Sequence, residues 1–275
     1  MGNNVFFLNP PRLSNSFSID IQDISNNLRT IDYKPFFRGI NLFPMVFRKH
    51  FHMDLAKRII ETINEPIDIT WSFDPSSFQY MRAFGAQLNI FHPVDVHRPK
   101  FERAISNYAD IILATSDKIL DRYKGINKPK FKINHGLADY FHLPQKNEVN
   151  FVKRPNRIKV GYVGNLNYRH LDTMVLKEII TLNPGVDFYF IGPYDKSNIG
   201  DGNFNSDFIV LLEELNNTYL IGDVESETLP AYLREFDLFL MCYNGDRHIA
   251  ELANPHKILE FLSTGKVIVS HYIDE

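Results

Sequence analysis

The sequence predicts an α/β protein made of two parallel-sheet domains, on three observations. Short apolar runs alternate with helical stretches of three- and four-residue apolar spacing over 67–134, and the alternation restarts over 159–270. Between them, 143–157 is rich in Pro, Asn, Gln, Lys and Arg and has no apolar period, which makes it a linker. At 275 residues the chain has the length of two domains. The predicted division is therefore a first domain at 1–142, a linker at 143–157 and a second domain at 158–275, with a cleft between the two domains.

Composition narrows the class. Hydrophobic residues make up 44% and charged residues 23%, ordinary for a globular protein, and the formal net charge of −3 offers no general case for nucleic acid. Cys242, the one cysteine, lies in FDLFLMCY, so an intrachain disulfide is excluded and the thiol reads as a packed core group rather than a nucleophile. No run approaches the roughly 18 apolar residues of a membrane span, and the N-terminus lacks a basic segment followed by an apolar one. A cytoplasmic protein is expected.

Taken in order, 5–8 reads as a buried strand stopped by Asn9, Pro10 and Pro11, and 12–39 has no clean period. A helix follows from about 47 to 63, with Leu55, Ile59, Ile60 and Ile63 at helical spacing. Strands are expected at 67–71, 89–91, 111–115 and 131–134, with helices at 100–108 and 116–123. In the second half, strands fall at 159–163, 187–191, 218–221 and 238–242, and helices at 172–181 and 226–235; 193–206 is a loop. Asn254 is placed as an N-cap, Pro255 as the first helical residue and Gly265 as the left-handed stop, which sets a helix at 255–264. Its buried face is assigned to Ile258, Leu259 and Leu262, its polar face to Asn254, Lys257 and Glu260, and a buried strand at 267–270 comes next. On spacing alone, Lys257 and Glu260 also fit an ordinary solvated ion pair.

The segments GYVGNL, FIGP, LIGDVESETLPAYLREFDLFLMCY and NPHKILEFLSTGKVIVS, in this order, resemble the nucleotide-binding domain of the group 1 glycosyltransferases with the GT-B fold. The resemblance is closest to bacterial members with Asn-Pro-x-Lys before the Glu-x-Leu-x-x-Gly-Lys helix. ADIILATSDKIL and INHGLADYF resemble segments of the same family before and at the crossing between domains. The fold implied is two Rossmann-like domains facing each other across a cleft. The activity implied is transfer of a hexosyl group, with retention, from a nucleotide-diphosphate sugar to a glycan, lipid-linked or other hydroxyl acceptor in cell-surface polysaccharide synthesis. No cofactor or metal is implied.

Carried over residue by residue, the resemblance gives Glu260 the ribose hydroxyls of the donor and Gly164 and Asn165 its phosphates. A glycine there lets backbone N–H groups approach a diphosphate. There are departures. Relatives carry a second Glu eight positions before Glu260, where this chain has Leu252 beside Glu251. Their basic pair after the first loop has only Arg169 and His170 as counterparts here, and Lys257 is a substitute cation for phosphate. Against the family, the chain starts at what would be the second strand and ends soon after 267–270, as a fragment would.

In the first domain, His92, Asp95 and His97 follow a strand where a sugar or acceptor would enter. Asp95 is the candidate catalytic base, and His92 and His97 are candidate acceptor-side contacts. The bland alternative is that these groups cap the next helix. A metal reading of His-x-x-Asp-x-His is disfavoured, because the spacing is not that of convergent helical ligands. The stretch of Arg122, Tyr123, Lys124, Lys128, Lys130 and Lys132 is either a solvated loop or a contact for anionic lipid headgroups, a peripheral membrane attachment. A nucleotide-sugar epimerase of the same fold and an inactive nucleotide-binding module remain as alternative functions. A dinucleotide oxidoreductase is disfavoured, because Gly161-x-x-Gly164 is not Gly-x-Gly-x-x-Gly and no acidic residue ends the second strand of that domain.

Overall fold

The computed structural model describes residues 2–11, 18–34, 39–143, 149–194, 205–244 and 256–271. The chain forms two compact units, Met1–Ile133 and Asn134–Glu275.

The first unit holds two sheets. Strands β1 (Val5–Leu8), β2 (Asp20–Ser25) and β3 (Leu28–Asp32) form a three-stranded sheet in the order β1-β3-β2, with β1 parallel and β2 antiparallel to β3. The β2–β3 hairpin was not expected. Its signal is the two-residue turn Asn26-Asn27 between the alternating Ile19 and Ile21 and the next strand. Helix α1 (Met45–Ile63) packs Leu55, Ala56, Ile59 and Ile63 against Ile31, Tyr33 and Phe78. It stops at Asn64, which takes a left-handed conformation while its N–H donates to the Ile60 carbonyl. β1 is only half-buried: its Val5 and Phe7 are exposed while Phe6 and Leu8 pack on the α1 cluster. It lies at a sheet edge, with β3 on one side.

The second sheet of this unit has four parallel strands in chain order, β4 (Ile69–Ser72), β5 (Leu88–Phe91), β6 (Ile111–Ala114) and β7 (Lys130–Lys132). Helices α2 (Pro99–Ser106) and α3 (Asp117–Asp121) cover one face through Phe91, Ile105, Ile112, Ala114, Ile119 and Tyr123. Proline opens α2, and the Ser116 hydroxyl caps α3 by accepting from the Ile119 N–H.

The second unit is one five-stranded parallel sheet, β8 (Lys159–Val163), β9 (Asp187–Ile191), β10 (Thr218–Gly222), β11 (Leu238–Met241) and β12 (Val267–Ser270), in the order β10-β9-β8-β11-β12. Period-two alternation sends Val160, Tyr162, Phe188 and Phe190 to one core, under helices α4 (Thr173–Leu182) and α5 (Ser206–Glu214). Val163, Tyr189, Ile191, Phe239 and Met241 face the other, under α6 (Leu229–Glu235) and α7 (Lys257–Leu262). Helix α5 was missed, although Phe208, Leu211 and Leu212 recur at helical spacing just past the polar loop.

Three expectations need correction. Leu262 of α7 is exposed, and Phe261 is the buried residue, because its ring lies flat on Phe239 at 4.3 Å. β12 is a sheet edge with Val267 and Val269 exposed, not a buried strand. Residues 134–142 and 149–157, read as first domain and linker, pack on the second unit. Phe141 and Phe151 join its core, and Arg154 and Arg157 both pair with the fully buried Asp187, at 2.6 and 2.7 Å. Gly265 does take the expected left-handed turn behind α7. The Cys242 thiol is buried, and burial with Asp172 beside it pushes it up to about 11, as fits a packed thiol.

His52 makes the first unit sensitive to acid. Its ring stacks on Phe78 at 4.4 Å, and its Nδ1 accepts from the Tyr80 N–H, which needs a neutral imidazole. Burial, with Arg48 nearby, lowers its pKa from 6.5 to about 4. The unfolded chain therefore binds this proton first, and stability that is complete above pH 6.5 falls as the pH drops toward 4, by roughly 3 kcal/mol at the limit. Urea unfolding followed by tryptophan emission should show this loss, and His52→Asn, which can still accept from Tyr80, should flatten it.

Candidate functional site

In an open α/β sheet the ligand crevice lies beyond the carboxyl ends of the strands where the order reverses. Here that point is between β8 and β11. The turn after β8 begins with Gly164, whose N–H donates to the Ile191 carbonyl at the end of β9, while Gly192 donates to Gly222 at the end of β10. Gly192 has φ 129°, and a Cβ there would sit 2.3 Å from the Gly164 carbonyl oxygen. Neither the conformation nor the space admits a side chain. The strand ends therefore come together as bare backbone.

The rest of that turn is tied down. The Asn165 side-chain oxygen accepts from the Asn167 N–H at 2.8 Å, and buried Asn167 donates to the Tyr194 carbonyl. Arg169 is exposed and donates through Nε to the buried His170. The turn is joined to the segment after β11 by the Leu171–Tyr243 bridge and by the Asn244 N–H donating to His170.

Helix α7 leads into β12, which runs parallel to β11, so its first turn also stands at the carboxyl edge of the sheet. That turn presents Lys257 and Glu260, paired at 3.4 Å and both largely buried, with His256 3.8 Å from Glu260 and its ring 5.9 Å from His135. Burial raises the Glu260 carboxyl above its usual range, and Lys257 opposes the rise. Burial, then Lys257 and His135, lower His256 to about 4. Lys257 is the nearer basic group to Glu260, at 3.4 Å against 3.8 Å for His256. Of the predicted donor residues, Asn254 lies outside the described residues, as do Glu251 and Leu252.

In the first unit, His92 is buried at the end of β5 beside the rings of Trp71 and Phe73, while Asp95 is exposed on the loop that follows. The His97 backbone N–H donates to Glu102 and its ring nitrogen lies 3.8 Å from Asp74. Among the described residues no group of three or more His, Cys, Asp or Glu is placed to hold a metal. The basic stretch is broken up: Tyr123 is core, Arg122 pairs with buried Glu102 at 2.7 Å, Lys132 with Asp117, Lys124 with Asp121, and Lys130 donates to the Ile126 and Lys128 carbonyls. Among the described residues no helix is long and apolar enough to cross a membrane.

No family model matches the chain, and no curated protein matches its sequence. Solved structures do match in shape. Sucrose-phosphate synthase from Thermosynechococcus elongatus superposes with a TM-score of 0.63 at 13% identity, over 98% of this chain and 71% of that one. HepE from Anabaena, in complex with UDP and glucose, gives 0.60 at 14% identity, over 90% and 67%. A glycosyltransferase from Rickettsia africae gives 0.58 at 15% identity, over 88% and 66%. The fold is thus the two-domain Rossmann-like fold of GT-B glycosyltransferases, and the chain spans about two-thirds of the length of these structures.

The glycine junction gives a stability prediction. Gly192→Ala should destabilise the second unit by about 2 kcal/mol or more in thermal unfolding, because backbone must move. Gly185→Ala, with open space around its Cβ, should change it by no more than about 0.5 kcal/mol.

Proposed function

We propose that the chain is a glycosyltransferase that binds a nucleotide-diphosphate sugar on the second unit and passes the sugar to a hydroxyl of a glycan or lipid-linked acceptor. The observation that carries this reading is the carboxyl edge of the second sheet. A backbone junction without side chains at β8 and β9 and a desolvated carboxylate–ammonium pair at the start of α7 both stand there. A turn without a side chain at Gly164 lets a diphosphate come close, an ammonium suits its charge, and a carboxylate suits paired ribose hydroxyls. That HepE was solved with UDP and with glucose supports the same ligand class.

In this reading Gly164 and Asn165 approach the phosphates, Lys257 and Arg169 supply positive charge, and Glu260 accepts from the ribose. Because Asn165 spends its side-chain oxygen on its own turn, its contribution is positional or comes from its amide group. The bond from the anomeric carbon to the diphosphate oxygen breaks, the acceptor oxygen bonds to that carbon, and the acceptor proton passes to a base, for which Asp95 is the candidate. His92 and His97 stand on the acceptor side.

Calorimetric titration with UDP, GDP, ADP and CMP tests the reading, which fails if none binds. With the nucleotide that binds, Lys257→Ala should weaken the diphosphate more than the nucleoside, by an amount that shrinks as salt rises. Glu260→Gln should cost both ligands about 1 to 3 kcal/mol. If Lys257→Ala leaves diphosphate affinity untouched while Arg169→Ala abolishes it, the phosphate belongs to the turn after β8. Asp95→Asn should lower turnover far more than nucleotide affinity, whereas equal losses would mark Asp95 as structural.

A further inference from the structure

α1 begins in a way that neither the donor site nor the packing of the first unit accounts for. It opens on Pro44 with no side-chain cap and no acidic residue in its first turn, and the N–H groups of Met45 and Val46 meet no acceptor among the described residues. In that first turn Arg48 is only 7% exposed. Its Nη1 donates to the Gln79 side-chain oxygen at 3.0 Å and its guanidinium lies 5.9 Å from the Phe101 ring, but its Nε is buried without a partner. Among the described residues no carboxylate pairs with it, and burial lowers its pKa with nothing opposing the fall. One turn further along, His52 accepts from the Tyr80 N–H at Nδ1 and so carries its proton on Nε2, which is also buried without a partner. The protein thus supplies donors here and no anion, whereas a buried guanidinium is ordinarily matched by one.

We propose that the start of α1 binds a phosphate group, which, on the transferase reading above, is carried by the acceptor. Long helical side chains lean toward the N-terminus, and the hydrogen bonds agree. Gln79, which holds Arg48, donates in turn to the Ser76 carbonyl, and so does Asn41 just ahead of α1. The guanidinium therefore stands at the open end of the helix. Ser76 and Gln79 belong to the turn after β4, so this end lies beyond the carboxyl edge of a parallel sheet, where such sheets bind ligands. With Nη1 on Gln79, the Nε–Nη2 edge of the guanidinium is left for two oxygens of a tetrahedral phosphate, and the open N–H groups of the first turn suit a third. The positive end of a 19-residue helix adds to the attraction. A neutral sugar would leave the guanidinium charge unmatched.

The full chain is titrated calorimetrically, at fixed ionic strength, with inorganic phosphate, glucose 6-phosphate, glucose, and vesicles of phosphatidic acid or phosphatidylcholine. Saturable binding of inorganic phosphate and none of glucose is expected. Tighter binding of glucose 6-phosphate marks a sugar phosphate as the source, and binding of phosphatidic acid but not phosphatidylcholine vesicles marks a lipid. Arg48→Gln, which can still donate to Gln79, should weaken inorganic phosphate about tenfold, and Arg48→Lys should recover part of the loss. Val46 is exposed, so Val46→Glu brings a carboxylate to the helix N-terminus without touching the core. It should melt no lower than the parent and weaken phosphate by a similar factor, and it decides the matter if Arg48→Gln fails to fold. Lys257→Ala should leave phosphate binding unchanged, which separates this site from the donor site. Absence of phosphate binding, or binding that is lost in Lys257→Ala and kept in Arg48→Gln and Val46→Glu, overturns the site. Nucleotide binding without phosphate binding sinks the site alone, and phosphate binding without nucleotide binding sinks the transferase reading alone.

Discussion

The second unit depends on one steric constraint, the contact of the Gly192 backbone with the Gly164 carbonyl. Three strand ends meet at this point through the Gly164-to-Ile191 and Gly192-to-Gly222 hydrogen bonds. A side chain on Gly192 would force β8 and β9 apart just where their parallel register ends at Val163 and Ile191. The same bareness leaves room for a ligand beside the main chain, so one geometric requirement serves both the packing of the sheet and the proposed approach of phosphate.

The electrostatics around α7 show a related economy. Desolvation raises Glu260 and lowers His256, so burial acts on both toward neutrality, and Lys257 opposes the first change and adds to the second. A ligand that drew Lys257 toward phosphate would leave Glu260 without its cation, and only a ligand that also offers donors to the carboxylate offsets that loss. Diphosphate and ribose on one molecule satisfy both demands at once, which ties the two contacts together energetically.

Much of the fold was legible because its strands are short apolar runs bounded by turn residues. β8 and β9 lie where their apolar patterns place them, and Gly265 ends α7 as its chemistry requires. The misses have physical causes. The β2–β3 hairpin carries too many acidic and polar residues for its alternation to stand out, and α5 follows a polar loop that masked its start. Leu262 and Phe261 both fit an apolar face, and the flat stack on Phe239, a long-range contact invisible to local periodicity, selected the aromatic. Within the candidate site, motif order located Gly164, Lys257 and Glu260 at one edge of one sheet. It did not reveal that Asn165 is committed to its own turn, since a side chain's hydrogen bond leaves no trace in spacing.

The polar tract that reads as a linker shows where composition and packing part company. The Ile133 N–H still donates to the Ala114 carbonyl of the first unit, yet a few residues later Phe141 is already in the core of the second, and Phe151, Arg154 and Arg157 follow it there. The division between the two units therefore falls at 133/134, ahead of the polar tract. Anyone cutting this protein into separately expressed halves should cut at 133/134. A cut anywhere within 143–157 would strip Phe141 from the second unit's core, and a cut beyond 154 would also remove Phe151 and take Arg154 from the fully buried Asp187.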